Sequence, residues 1–452
     1  MSTQSTRRLF GTDGIRGIAG EPPLDPRTVF AAGLALGHSL HHADAGPRVL
    51  LGRDTRESSP WIAAMIAAGL RQAGAEVESA GIIPTPAVAF LARKHGFHAG
   101  VVISASHNPW HDNGIKLFGG DGFKLPDAVE LGIEEDILHH AGYAEAPASP
   151  PAIQDNAALL DDYIEFLRST VPGLSLAGLR IVADCANGAA SAVAPELFQR
   201  LGGEVTLLNI VPDGRNINDG CGALHPQWVA KEVVARGASL GLTFDGDADR
   251  CLLAGAQDNV INGDAILLMA ARDLKARGLL TGNLVVATTM SNMGLEAALR
   301  RSGICMLRAP VGDRYVLEQM QQHDAALGGE QSGHILFPHL ATTGDGLLTA
   351  LVILDLVARS GQSIDELCAD LKVYPQVIAN VKVREKKPFE SIPAIAASIR
   401  AAEAELKDSG RVVVRYSGTE PLARVMIEAE SEDAMRRHAD AIASAIRREL
   451  GA

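Results

Sequence analysis

Short runs of consecutive apolar residues alternate, along most of the chain, with longer stretches in which apolar positions recur every three to four residues. The first pattern suits strands buried on both faces, the second helices with one buried stripe. Residues 48–51 predict a strand and 60–74 a helix; 100–103 predict a second strand that runs into a serine-bearing loop. Residues 181–184 predict a strand followed by a helix over about 190–201, and 239–244 a strand that ends at a run of aspartates. A further strand is expected at 284–288, with a helix after it. Strands alternating with helices imply α/β units, whose chemistry gathers in loops at the C-terminal ends of strands. The tail reads differently. Residues 377–383, 411–416 and 424–430 are strand-like and 432–450 form an amphipathic helix, an α+β pattern. Linker-like stretches at 144–153 and 372–376, with a boundary near Gln257, divide the chain into expected domains 1–153, 154–257, 258–373 and 374–452.

Length and composition agree with several soluble domains: 452 residues, 47% hydrophobic and 21% charged. The net charge of -13 argues against a nucleic-acid partner, which needs a basic face, but leaves room for a small anion in a local basic pocket. The five cysteines are odd in number, widely spaced and without a C-x-x-C pair, so neither a disulfide framework nor a thiolate zinc site is expected. With no apolar signal segment at 1–10 and no bilayer-length apolar run, no membrane association is expected and the cytoplasm follows by elimination. No Gly-Lys dipeptide occurs, which excludes a Walker A loop.

Four polar, glycine-rich loops fall one in each expected domain, at 104–109, 245–250, 329–334 and 415–421. One loop per domain suggests a single central cleft. Asp245, Asp247 and Asp249 alternate after a strand, a spacing that can wrap one hard cation. Arg250 and Ala256 stand where a calcium-binding EF-hand needs glycine and glutamate, so that reading fails; a solvated acidic turn is the plainer alternative. Ser106, followed by His107 and soon by Lys116, can carry a phosphoryl group if a metal and a proton carrier are near; a helix-capping serine is the alternative. Glu330, Gln331, Ser332 and His334 offer groups for neutral sugar hydroxyls, or simply a hairpin turn. Arg415, Ser417, Gly418 and Thr419, with Arg424 nearby, offer donors for phosphate oxygens, or a polar turn. His38, His41 and His42 share a helix face near its C-terminus, where solvated histidines are favourable, and no metal role is expected for them or for His139 and His140.

The four loops in this order resemble the α-D-phosphohexomutase superfamily, over essentially the whole chain. Four variants resemble the bacterial branch acting on glucosamine phosphates: Phe10-Gly11-Thr12-Asp13-Gly14-Ile15-Arg16-Gly17, Gly214-Arg215-Asn216-Ile217-Asn218, the Gln331-bearing sugar loop, and Tyr416-Ser417-Gly418-Thr419. The resemblance implies an α/β fold: three α/β domains with mixed sheets and a C-terminal α+β domain around a central cleft. It implies a phosphoserine at Ser106 and one Mg2+ per subunit on Asp245, Asp247, Asp249 and the serine phosphate. A sugar bisphosphate would be intermediate and activator, and the product would feed UDP-sugar and cell-wall synthesis. Glu330 and Ser332 would hold hydroxyls; Arg415, Ser417, Gly418 and Thr419 would hold the idle phosphate. Arg16, His107, Lys116 and Arg250 would surround the transferring group, with Lys116 as general acid/base and His334 as second candidate. The resemblance also suggests a homodimer. Mutases acting on mannose or glucose phosphates, a silent binding protein and a simple hydrolase are the alternative readings.

Overall fold

The computed structural model describes residues 8–11, 13–40, 46–142, 145–417 and 421–452. Four β-sheets follow one another along it. The first holds β1 (Phe10–Gly11), β2 (Gly14–Ile18), β3 (Arg48–Arg53), β4 (Glu76–Ile82), β5 (Ala99–Ile103) and β6 (Asp112–Gly119), in the order β1-β2-β6-β5-β3-β4. It is mixed: β3 runs parallel to β4 and β5, whereas β6 and β2 are antiparallel additions. Every residue of β5 is buried, as its uninterrupted apolar run requires. Val49, Leu51, Val101 and Ile103 share a core with the helices Pro26–Ser39, Ser59–Gln72 and Asp127–Ala141. The alternate positions Gly52 and Gly100 face Val88 of the helix Thr85–Lys94, so the sheet is covered on both sides.

The second sheet comprises β7 (Arg180–Asp184), β8 (Glu204–Leu208), β9 (Leu240–Phe244), β10 (Cys251–Ala254) and β11 (Val260–Ile261), ordered β11-β10-β9-β7-β8. Its parallel core of β8, β7 and β9 is extended by the antiparallel β10 and β11. The turn around Gln257 therefore joins two paired strands, and the sheet runs on to Ile261. The third sheet is built from β12 (Leu284–Thr288), β13 (Cys305–Ala309), β14 (Gly328–Gly329) and β15 (Ile335–Leu336). The fourth, β16 (Gln376–Lys382), β17 (Gly410–Tyr416) and β18 (Leu422–Ala429), is wholly antiparallel and packs on the helices Pro393–Leu406 and Glu432–Leu450.

By contacts the chain forms two compact units: 1–290 with 306–368, and 291–305 with 369–452. Segment 291–305 thus groups with the C-terminal part, where Asn292 donates to the Tyr374 carbonyl at 3.0 Å and to Glu428 at 3.1 Å. None of the five cysteines forms a disulfide among the described residues, and no described helix is long and apolar enough to cross a membrane.

Candidate active site

Two strands of the first unit, β5 and β9, end in loops that meet. Beyond Ile103 the chain turns sharply: the Ser104 hydroxyl accepts from the Ser106 amide at 2.9 Å, and Ser106 takes the left-handed conformation, φ 51°. That conformation costs a non-glycine residue on the order of 1 kcal/mol or more and persists only where its surroundings enforce it. Here they do. The buried guanidinium of Arg56 donates to the carbonyls of Ser106 at 3.1 Å and Asn108 at 2.6 Å, and the Asn218 amide donates to the same two oxygens at 3.0 and 3.2 Å. Arg56 is itself held by an ion pair to buried Asp54.

The result aims the Ser106 hydroxyl at Asp245, donating to Oδ2 at 2.6 Å. Asp245, Asp247 and Asp249 are all buried, and one carboxylate oxygen of each lies within 4.8 Å of the others. Oδ1 of Asp247 and Oδ1 of Asp249 are buried without a hydrogen-bond partner among the described residues. A concave set of buried carboxylate oxygens with unused acceptors fits a hard divalent cation and is costly without one. The solvated-turn reading fails on burial alone. Burial and the neighbouring Asp249 and Asp247 push the Asp245 carboxyl well above the usual range.

Lys116, on β6, is buried and donates to Asp247 at 2.7 Å, with Asp13 at 3.0 Å and Asp249 at 3.6 Å. Burial alone would lower its pKa, but Asp13, Asp247 and Asp249 outweigh it, so the ammonium is held well above its ordinary range. Thr85 donates its hydroxyl to the same Asp247 oxygen at 2.5 Å. His107 lies 3.2 Å from the Ser106 hydroxyl through Nδ1. Burial, then Arg250 and Arg16, push its imidazole down to about 4, so it is neutral near pH 7.

A cleft of about 420 Å³ opens beside this cluster, lined by Arg16, His107, Asp249, Arg250, Glu330 and His334, among others. Arg16 pairs with Asp13, and Lys124 bridges Asp13 at 2.7 Å and Asp313 at 2.6 Å. The segment 329–334 is the connection between antiparallel β14 and β15, the expected hairpin turn, and it places Glu330 and His334 in the cleft lining. Glu330 accepts from the Gly312 amide at 3.0 Å and from the Ser332 hydroxyl at 3.0 Å, which leaves Ser332 turned onto Glu330. Gln331 donates to Asp264 at 3.1 Å. His334 lies 3.6 Å from Asp249 and 3.7 Å from Asp313. Burial lowers its pKa, but Asp249, then Asp313 and Glu330, outweigh that and hold it at about 9.

The fourth loop belongs to the other unit. Arg415 and Arg424 are directly opposed on β17 and β18. Like charges in that register repel. Ser417 is buried at the end of β17, and Lys386 donates to its carbonyl at 2.6 Å. Gly418 and Thr419 lie outside the described residues, as do Thr12, His41 and His42.

The structure thus brings together Arg16, Ser106, His107, Lys116, Asp245, Asp247, Asp249, Arg250, Glu330 and His334. Asp54, Arg56, Thr85, Lys124 and Asp313 join the site with no expectation from the sequence, and Asn218 is marked there only as part of the segment 214–218. The one available signal was the polar triple Asp54-Thr55-Arg56 directly after an apolar strand.

A buried serine hydroxyl at a strand end, a buried carboxylate set and flanking cations are the arrangement expected of a phosphohexomutase, and comparison with known proteins gives that class. Residues 7–143, 161–258, 262–374 and 378–445 match phosphoglucomutase/phosphomannomutase domains I, II and III and the C-terminal domain. The chain belongs to the phosphoglucomutase/phosphomannomutase family. Among relatives, it is 59% identical to a phosphoglucosamine mutase of Koribacter versatilis (strain Ellin345) over 98% of both chains. It is 52% identical to one from Solibacter usitatus (strain Ellin6076), over 98% of this chain and 99% of the relative. A solved phosphoglucomutase/phosphomannomutase family protein of Burkholderia thailandensis superposes with a TM-score of 0.78 at 26% identity, covering 97% of each chain.

Proposed function

We propose that the chain interconverts glucosamine 6-phosphate and glucosamine 1-phosphate through a phosphoserine at Ser106. The observation that carries this reading is the Ser106 hydroxyl, fixed in a left-handed turn and donating at 2.6 Å to one of three buried aspartates. Relatives covering nearly the whole chain carry the name phosphoglucosamine mutase, which selects the amino sugar among hexose phosphates.

In the forward direction the bond from phosphorus to Ser106 Oγ breaks as a bond to sugar O1 forms, and the O1 proton leaves to a base. The bisphosphate then turns round. Its 6-phosphate returns to Ser106, and the proton is delivered to O6. Such transfers ask mainly for positioning and charge neutralisation. Arg16 and Arg250 supply positive charge from the cleft lining, and the buried Lys116 ammonium supplies it beside the aspartates. Lys116 is assigned the acid/base role, with His334 second; a cation on Asp247 and Asp249 would offset part of the carboxylate field that holds the Lys116 ammonium and so ease the loss of its proton. Glu330 receives sugar hydroxyls, while Arg415, Ser417 and Arg424, together with Gly418 and Thr419, hold the phosphate that is not reacting. Asp245, Asp247, Asp249 and the serine phosphate would hold one Mg2+, which when bound neutralises charge on the phosphoryl oxygens. A sugar bisphosphate is the natural activator, because it can phosphorylate an empty Ser106. A cytoplasmic homodimer feeding UDP-sugar synthesis completes the proposal.

The test is a coupled mutase assay with glucosamine, glucose and mannose 6-phosphates, Mg2+ and a trace of the matching bisphosphate. Glucosamine 6-phosphate should turn over fastest; if it is the poorest of the three, the assignment to the amino sugar is wrong. Intact mass should show a fraction carrying one phosphate, absent from Ser106→Ala together with turnover. Full turnover by Ser106→Ala would sink the phosphoserine route.

A further inference from the structure

The helices Pro26–Ser39 and Asp127–Ala141 bring three metal-ligand side chains to one spot, away from the catalytic cleft. His38 comes from the last turn of the first helix. Asp136 and His140 stand four residues apart on the second, on one face of it. His38 Nδ1 lies 3.5 Å from Asp136 Oδ2, and His140 Nε2 lies 3.3 Å from Asp136 Oδ1. The two imidazole centroids are 5.3 Å apart, and one ligand atom from each of the three residues falls within 4.8 Å of the other two.

Those lengths have a chemical meaning. A tetrahedral zinc ion with ligands at about 2.0–2.1 Å sets its ligand atoms about 3.3 Å apart. The contacts of 3.5 and 3.3 Å are close to that length but end on the two oxygens of Asp136, Oδ2 for His38 and Oδ1 for His140, so side-chain torsions must bring both imidazoles onto an ion held by that one carboxylate. The site is reachable: side-chain exposure is 42% at His38, 35% at Asp136 and 16% at His140. A surface groove of about 590 Å³, lined by His38 and Asp136 with Ser39, Glu135 and His139, runs alongside.

We propose that His38, Asp136 and His140 form a second cation site, specific for a borderline divalent metal such as zinc, with water in the fourth position. The ligand chemistry separates it from the first. Two imidazoles and one carboxylate prefer zinc, nickel or copper, whereas the oxygen-only set of Asp245, Asp247 and Asp249 prefers a hard ion such as magnesium. One carboxylate against a divalent ion leaves a single positive charge at a solvated surface, which water tolerates. The bound ion ties the end of one helix to its neighbour. These helices already share the core through Ala35, Ile133 and Ile137, so the site adds a cross-link that the folded state has and the unfolded chain lacks.

The test uses the full-length chain without a histidine tag, stripped of metal and then held in excess Mg2+ to fill the oxygen site. Zinc titration should show one equivalent bound and a higher melting temperature. Cobalt should give the intense visible absorption of a four-coordinate nitrogen–oxygen site rather than the weak bands of a six-coordinate oxygen site. His38→Ala and His140→Ala should each weaken zinc binding roughly tenfold or more, while mutase turnover with Mg2+ stays at the wild-type level. Asp136→Asn, which keeps the side chain's shape, should weaken zinc in the same way and covers the case in which a histidine variant folds poorly. Zinc binding unchanged in all three variants would overturn the proposal. So would no zinc binding in the presence of Mg2+, which would leave the cluster an aspartate shared between two imidazoles.

Discussion

The guanidinium of Arg56 donates from Nη2 to the carbonyl oxygen of Ser106 at 3.1 Å. Fifty positions separate these residues, and both are buried. The contact fixes the backbone of the serine, not its hydroxyl, and so sets the direction in which the hydroxyl points. Arg56→Lys keeps the charge beside Asp54 but lacks the planar group that reaches Asp54 through Nη1 and both carbonyls through Nη2. It should lower kcat by roughly 10²-fold, the scale of an ångström-sized misplacement, with KM little changed. Arg56→Met removes the partner of buried Asp54 and should cost about 3–5 kcal/mol of stability, measured by denaturant unfolding. Wild-type kinetics in Arg56→Lys would show that the serine turn holds itself.

Lys116 reaches Asp247 at 2.7 Å from a position with almost no solvent exposure. Lys116→Gln keeps a donor, one bond nearer the backbone, but removes the charge and the transferable proton. Turnover should fall by roughly 10²–10⁴-fold, the usual contribution of a positioned acid/base. KM should change much less, because the substrate's idle phosphate is assigned to other groups. Single-turnover phosphate transfer from the labelled enzyme reads this step directly. An unchanged transfer rate would move the acid/base role away from Lys116.

Asp345, next to the aspartate loop through the Gly346 amide on the Ala248 carbonyl but outside the aspartate triple, gives a pH test of stability. It caps the helix Gly346–Ser360, accepting from the Leu348 amide at 2.9 Å, and accepts from the Tyr163 hydroxyl at 2.8 Å. Burial outweighs these bonds and pushes its carboxyl up to about 6. The sign follows. A raised carboxyl contributes its full stability below the unfolded value near 4 and loses it as pH rises through about 6. The ionised form costs on the order of 3 kcal/mol more in the folded chain than in the unfolded one. Asp345→Asn does not titrate, so its stability relative to wild type should rise between pH 4 and 7. Unfolding midpoints at both pH values check this, and a constant difference would contradict it.

The parts of the site visible in the sequence were those where an apolar run stops abruptly. Residues 100–103 have no polar interruption and 240–244 only Thr243, and the Ser106 and Asp245 loops follow them directly. The strands at 284–288 and the helix at 432–450 were legible for the same reason: their periodicity is strong and local. What escaped was long-range. Lys124 joins Asp13 to Asp313 across hundreds of positions, and no local pattern marks any of the three as partners. Segment 291–305 reads as the continuation of its neighbours, yet its contacts are with 369–452. His38 and His140 each look like solvated residues at a helix end, and only the packing of two helices makes them neighbours.

Gly246 decides how closely the two central loops approach. A Cβ there would stand 2.4 Å from the Ser106 carbonyl oxygen and 2.8 Å from the Asn218 amide nitrogen. From the other side, a Cβ on Gly188 would stand 2.3 Å from the Gly246 carbonyl oxygen. Backbone atoms on both sides cannot swing aside as a flexible side chain would. Gly246→Ala must therefore move the aspartate loop away from Ser106 or displace the Arg56–Asn218 clamp. Overpacking of this kind costs about 1–3 kcal/mol, and the 2.6 Å contact between Ser106 and Asp245 should lengthen. Turnover should fall more than stability does, because a small shift at the reacting oxygen weighs more on phosphoryl transfer than on a core of this size. The comparison is between kcat and the urea midpoint of the same preparation. If both stay at wild-type values, the loops have slack that this packing does not show, and the fixed hydroxyl at Ser106 loses its physical basis.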